Sequence, residues 1–190
     1  MRPVLFAAGV FLAAATAATA QTTVPGPVRQ VFFETESKHC TVSAAAEPKW
    51  NVLRIDFTRK SVGQNCALSE EATGVLLNAV LQAHRETGDR GAYKSFLIGS
   101  VENYAWMQQR LIDTARQDAR WSKEKGRPVS GHANSYVNAV LSAPDVLAVF
   151  NEAGAKHGYT FVSVSCEKVL ISRERLPADA FCWAEIRPSQ

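Results

Sequence analysis

The first twenty residues of this chain have the layout of a secretory leader, which constrains everything that follows. Arg2 precedes an uncharged stretch from Val4 to Ala18, and Ala18-Thr19-Ala20 stands directly before Gln21. A basic start, an apolar segment too short for a comfortable membrane span and a small-residue end are typical of a signal peptide. The pattern predicts cleavage between Ala20 and Gln21 and a periplasmic or secreted protein, in a compartment that permits disulfides.

The cysteines all lie beyond this leader, and their even number predicts two disulfides in an exported chain. Four cysteines allow three pairings, and we favour the two short loops because short loops close most easily. The chain has no Cys-x-x-Cys motif and its cysteine spacings match no common zinc module, so we predict no metal and no cofactor. The favoured pairs are Cys40 with Cys66 and Cys166 with Cys182.

Length and charge narrow the class of protein further. The 170 residues after the leader have the size of one domain, and we predict a flexible lead-in over residues 21–27 and a single domain over 28–190. The net charge of this part is near +2, too mild to indicate nucleic-acid binding. No second apolar run reaches membrane-spanning length, and the first cysteine lies well past Gln21, so we predict neither a membrane span nor a lipid anchor.

Strand patterns stand near both ends of the chain. Leu53 to Thr58 alternates strictly between apolar and polar side chains, and Val28 to Glu36 is rich in residues that suit a sheet. The connection from Cys40 to Trp50 is predicted to be a turn or irregular. Residues 160–166 and 181–186 form the second predicted pair of strands.

Helical patterns occupy the middle. The first helix starts at Ser69 and stops at Gly88, and the second runs from about Ala92 to about Ser122 with Gly99 as a possible break. A third helix begins near Asn134, and a fourth begins near Pro144. The order ββ-αααα-ββ predicts an α+β fold, in which the terminal strand pairs meet in an antiparallel sheet that packs against the helices.

Trp106 and Arg110 lie almost opposite the apolar stripe of the second predicted helix. A tryptophan on a polar face, stacked with an arginine, is typical of a protein-binding surface. The alternative is that this helix is central and packs on both sides, which would make Trp106 part of the core.

A basic stripe follows on the same predicted helix, formed by Arg116, Arg120 and Lys123. This stripe is a candidate surface for binding an acidic partner. Asp113 and Asp118 lie among its cations and reduce its net positive charge, which favours the alternative of an ordinary solvent-exposed face.

His132 is the candidate for a catalytic residue, since it lies in a predicted loop that enters a helix. A hydrolase would use it as a general base, assisted by a carboxylate such as Asp145 or Glu152. The alternative is a surface histidine beside a helix that Asn134 caps. No known catalytic motif is present in the sequence, which favours a protein that is not an enzyme.

Three functions therefore remain as hypotheses. The favoured one is an exported binding or inhibitory protein that acts by contact with another envelope protein, through Trp106, Arg110, Arg116 and Arg120. The alternatives are a small secreted hydrolase of unrecognised type and an envelope assembly or scaffolding factor. No oligomeric state is predicted.

Overall fold

The computed structural model describes residues 29–64, 66–89, 91, 93–125, 133–167 and 181–189, with the side chains of 119–125, 133 and 134 excluded. The leader, the lead-in and His132 therefore lie outside the described residues. The described part forms six strands, which are β1 Gln30–Glu36, β2 Cys40–Glu47, β3 Val52–Arg59, β4 Ser95–Ser100, β5 Tyr159–Glu167 and β6 Phe181–Pro188. It also forms four helices, which are α1 Glu70–Glu86, α2 Ala105–Lys125, α3 Ala133–Leu141 and α4 Pro144–Ala155.

The predicted α+β class is confirmed, because all six strands form one sheet beside the four helices. The strand order is β1-β2-β3-β4-β6-β5, and β3 and β4 form the one parallel pair among the described strands. α1 provides the crossover that a parallel pair requires. The sheet is therefore mixed rather than wholly antiparallel. The terminal strand sets share it as predicted, but β4 separates them.

Two segments differ from the sequence-based expectation. Residues 40–47, expected to be irregular, form β2, in which three consecutive alanines are buried between β1 and β3. Residues 95–100, expected to open the second helix, form β4, and α2 begins only at Ala105. A short apolar run such as Phe96-Leu97-Ile98 suits either structure, and pairing with β3 and β6 decides in favour of a strand.

One row of paired residues crosses five strands and shows where the core lies. Ala46 pairs with Leu53, Leu53 with Phe96, Phe96 with Ala184, and Ala184 with Val164. All five are at most 2% exposed. Side chains alternate between the two faces of a strand, so this face carries the apolar layer that the helices cover. Neighbouring β3 positions on the opposite face are polar and include Arg54 and Asp56.

Helix side chains occupy the outer edge of β5. Asn138 of α3 accepts a hydrogen bond from the Cys166 amide at 2.7 Å, and Ser142 both donates to and accepts from the backbone of Val164. Asn151 of α4 bonds both the amide and the carbonyl of Phe161. These contacts satisfy backbone groups that an edge strand would otherwise expose, and they hold α3 and α4 against the sheet.

Both predicted disulfides are present. Cys40 at the start of β2 is joined to Cys66 in the segment before α1, with a Cα–Cα distance of 5.7 Å. Cys166 of β5 and Cys182 of β6 are directly paired residues of adjacent strands and form the second bridge. One bridge therefore lies at β2, near one edge of the sheet, and the other lies at the β5–β6 pair, at the opposite edge.

His84 of α1 is buried against β1 and the segment before β4. Its side chain is 1% exposed, its ring lies edge-on to Phe32 and Tyr93 with both centroids at 5.2 Å, and its Nε2 has no hydrogen-bond partner among the described residues. Burial lowers the pKa of His84 below its ordinary value of 6.5, with a smaller opposing effect from Asp89. The imidazole is consequently held in its neutral form.

This burial predicts that the protein loses stability in mild acid. Below pH 6.5 the unfolded chain takes up a proton that folded His84 resists, so stability is complete above this pH and declines as the pH falls towards the lower folded-state pKa. In His84→Leu, melting curves between pH 7.5 and pH 5 should show a clearly smaller decline than in the wild type. His39→Gln, at the β1–β2 turn, is the control and should keep the wild-type decline. An unchanged decline in His84→Leu would contradict the assignment.

Candidate functional site

The N-terminal turns of α1 and α4 bring carboxylates to one side of the helical layer. Ser69 caps α1 by accepting a hydrogen bond from the Ala72 amide at 3.1 Å, and Glu70 and Glu71 follow in the first turn. α4 begins at Pro144 and carries Asp145 in its first turn. Negative side chains are favourable at these positions because the helix dipole is positive there.

A groove of about 560 Å³ runs between α1 and α4. Its floor and walls include small residues such as Gly74 and Ala148, and Val75 stands in it with 65% of its surface exposed. The acidic lining residues of this groove are Glu70, Glu71, Asp145 and Glu152, and Lys156 is the one cation among its described lining residues.

A second hollow of about 340 Å³ continues the groove towards α2. It shares Glu70 and Asp145 with the first and adds Trp106, Arg110 and Asp113 from α2. We call the two together the helical groove. The face of α2 that the sequence predicted as a binding surface therefore forms one end of a larger concave surface.

Trp106 is half-buried in this groove and is anchored to both neighbouring helices. Its indole Nε1 donates a hydrogen bond to Thr73 Oγ1 of α1 at 2.9 Å, and its ring lies 6.2 Å from the ring of Phe150 of α4. It packs against the core, as the alternative interpretation of this residue had it, while its remaining surface lines the hollow. The Trp106 side chain is therefore held in place by the fold and forms part of the wall of the hollow.

Arg110 and Arg116 both form ion pairs on the surface. Arg110 Nη2 lies 2.5 Å from Asp145 Oδ2, so the guanidinium links α2 to α4. Arg116 lies 3.6 Å from Asp113 on its own helix. The side chains of Arg120 and Lys123 lie outside the described residues, as does His132. Asp145 and Glu152, which the hydrolase hypothesis named as assistants of His132, are exposed in the helical groove.

The helical groove carries a negative charge. Five carboxylates line it against two cations, and Glu70, Glu71 and Glu152 form no ion pair with any described residue. These residues are far apart in the sequence, since Glu152 lies more than seventy positions after Glu71, and they line one groove only because α1 packs on α4. The spacing of residues along α2 located one end of the surface, and its acidic part was missed.

Comparisons with known proteins found no matching family, no matching curated protein and no matching solved structure. In the part of the chain that the structure describes, no helix is both long and apolar enough to cross a membrane. Over the same residues, no group of three or more histidine, cysteine or acidic side chains is placed to hold a metal ion.

Proposed function

We propose that this chain is an exported binding or inhibitory protein, and that it captures another protein of the cell envelope in the helical groove. The observation that carries the proposal is the groove itself. Glu70, Glu71 and Glu152, which form no ion pair among the described residues, line the same hollow as exposed Val75, and the ring of Trp106 lines the adjoining hollow. Complementary charge gives specificity and speeds association, and an exposed apolar centre adds contact area. The partner should present a basic segment with an apolar side chain among its cations.

Export is part of the same proposal. The leader pattern of residues 1–20 supports it, with cleavage before Gln21, and the two disulfides are compatible with an oxidising compartment such as the periplasm or the medium. The charge of the groove is negative, like that of nucleic-acid phosphates, which supports a protein partner over nucleic acid.

The capture experiment uses charge reversal in the groove. The oxidised protein lacking residues 1–20 is immobilised and exposed to envelope extract, and a captured protein is identified, purified and titrated against each variant. Glu71→Lys with Glu152→Lys should weaken binding of that partner by about tenfold or more, and the loss should shrink at high salt because exposed charges are screened.

The matched control carries the same change of charge elsewhere. Glu34→Lys with Glu167→Lys alters two exposed carboxylates on β1 and β5, and it should leave the affinity within about twofold of the wild type, since distant surface charges contribute little. Melting temperatures of both double variants establish that each is folded. The groove is refuted as the binding site if both double variants lose binding equally, or if neither variant loses binding. It is also refuted if the wild type captures no partner.

A further inference from the structure

A basic surface with one exposed tryptophan lies at the end of the sheet where β3 and β4 begin. Residues Pro48–Trp50 form a short 3₁₀ turn between β2 and β3, and Asn51 ends this turn with a φ of 54°. The Asn51 carbonyl accepts hydrogen bonds from the amides of Lys94 and Ser95, at 3.0 and 3.4 Å. The turn is therefore fixed to the start of β4, and Lys94 lies beside it.

This end of the sheet continues from β4 through β6 to β5. The amide of Ile186 donates a hydrogen bond to the Lys94 carbonyl at 3.0 Å, and the amide of Ser189 donates to the Gly158 carbonyl at 2.8 Å. Gly158 directly precedes β5. Neighbouring strands lie about 4.8 Å apart, so the four strands β3, β4, β6 and β5 extend this end over roughly 14 Å.

The C-terminal ends of α1 and α4 lie beside the same end of the sheet. Lys156 ends α4 two residues before Gly158, and its carbonyl accepts a hydrogen bond from Arg85 of α1 at 3.4 Å. Glu70 and Asp145, from the first turns of the same two helices, line one hollow. α1 and α4 therefore run in the same direction, and each finishes with a cation.

Four exposed cations at this end form no ion pair with any described residue. They are Lys49, Arg85, Lys94 and Lys156, and together with Trp50 we call them the basic end. Nearby Arg187 and Glu185 pair with each other, and Glu47 is bound by two arginines. Glu86 and Asp89, where α1 ends, offset part of the charge. The basic end keeps a net positive charge.

The first-turn carboxylates of the helical groove lie far from these cations. Glu70 and Arg85 are fifteen positions apart on α1, which corresponds to roughly 22 Å along the helix axis. α4 has the same polarity, with Asp145 in its first turn and Lys156 at its end. Charge is therefore separated along one direction of the molecule, and an extended anionic surface would orient it with the basic end inward.

The breadth of the basic end favours such a surface over a small anion. Lys94 lies at the start of β4 and Lys156 lies just before β5, and β6 runs between these two strands. Two strand spacings amount to roughly 10 Å, which is too far for one phosphate or carboxylate to contact both ammonium groups. An array of phosphates matches cations that are spread in this way.

Trp50 is the apolar part of the basic end. It is 67% exposed, and the Nζ of Lys49 lies 5.1 Å from the centroid of its ring. Tryptophan and lysine are both favoured at the headgroup level of a membrane, where one part of the side chain is in apolar surroundings and the other is in water. This residue distinguishes a lipid surface from a purely charged polymer.

We propose that the basic end binds peripherally to a bilayer surface that contains anionic phospholipids. The ammonium groups and the Arg85 guanidinium contact headgroup phosphates, and the indole of Trp50 lies among the headgroups. The acidic first turns of α1 and α4 then face away from the bilayer. This contact is independent of what the helical groove captures, and it requires no membrane-spanning segment and no lipid anchor.

The test is co-sedimentation of the oxidised protein lacking residues 1–20 with lipid vesicles. Vesicles of equal parts phosphatidylglycerol and phosphatidylcholine should bind the protein at least tenfold more strongly than vesicles of phosphatidylcholine alone, and the difference should shrink at high salt. Equal binding to both kinds of vesicle, or binding to neither, would overturn the proposal.

Charge variants locate the contact. Lys49→Gln with Lys94→Gln should lower the partition coefficient about twentyfold, since each basic residue near an anionic bilayer contributes about fivefold. Lys38→Gln with Lys60→Gln is the matched control, because it removes the same charge from the opposite end of the sheet, where β2 starts and β3 ends. The control should stay within about threefold of the wild type. Equal losses in the two pairs would refute the basic end as the contact.

Fluorescence tests the place of the indole. Phosphatidylglycerol vesicles should shift the tryptophan emission of the wild type to shorter wavelength, and the shift should be absent in Trp50→Phe, which keeps the other three tryptophans. Dextran sulfate, a soluble polyanion, should cause no such shift. A wild-type shift that persists in Trp50→Phe, or an equal shift with dextran sulfate, would contradict insertion of Trp50 among the headgroups.

Discussion

Joint replacement of Cys166→Ala and Cys182→Ala should lower the free energy of unfolding by about 3 kcal/mol, with a similar loss for Cys40→Ala with Cys66→Ala. The bonds close loops with sequence separations of 16 and 26, and a crosslink stabilises the fold mainly by restricting the unfolded chain. For a protein of this size, the loss corresponds to a melting temperature lower by roughly 6–12 °C. Thermal and urea unfolding of the oxidised proteins measure it.

Reduction of the wild type provides the control for this experiment. A reductant breaks both bonds without removing the buried sulfur atoms, and it should reproduce most of the loss seen with the two alanine pairs combined. The variant without cysteines should not respond to the reductant. Melting temperatures that stay at the wild-type value in both alanine pairs would show that the crosslinks do not stabilise this fold.

The parts of the fold that the sequence predicted are those with a local signal. The alternation of Leu53 to Thr58 identified β3, and the cap at Ser69 and proline at position 144 identified the starts of α1 and α4. The alanines of β2 carry no strand preference, and they form a strand because neighbouring strands bury them on both sides. β4 was missed for the same reason, since pairing with distant residues decides its structure.

The candidate sites were predictable to a smaller extent. The position of Trp106 and Arg110 on one helix face follows from helical spacing alone, and both residues do line the helical groove. That Trp106 packs on Phe150, and that Glu71 and Glu152 line the same groove, depends on the packing of three helices. The parallel pairing of β3 with β4 ends at Arg54 with Leu97, and nothing in the residues between Val52 and Arg59 marks that point.

Phe150→Ala should lower the free energy of unfolding by about 3–5 kcal/mol, the cost of truncating a buried aromatic ring. Phe150 is 1% exposed and lies in a row of rings, 6.2 Å from Trp106 and 5.5 Å from Phe161, which is itself 5.7 Å from Phe96. The row connects the helical groove through α4 to the middle of the sheet. Urea unfolding at neutral pH measures the loss.

The same substitution also tests whether the core supports the helical groove. Without the ring of Phe150, Trp106 loses the side chain on which it packs, so partner capture should weaken even where Phe150→Ala is fully folded. Phe150→Leu keeps much of the volume and should cost less than half as much stability, about 1–2 kcal/mol. Val75→Ala changes an exposed residue of the same groove and should stay within about 0.5 kcal/mol of the wild type. If Phe150→Ala costs no more than Val75→Ala, the row of rings does not hold α4 against the sheet, and the rigidity assigned to Trp106 must have another source.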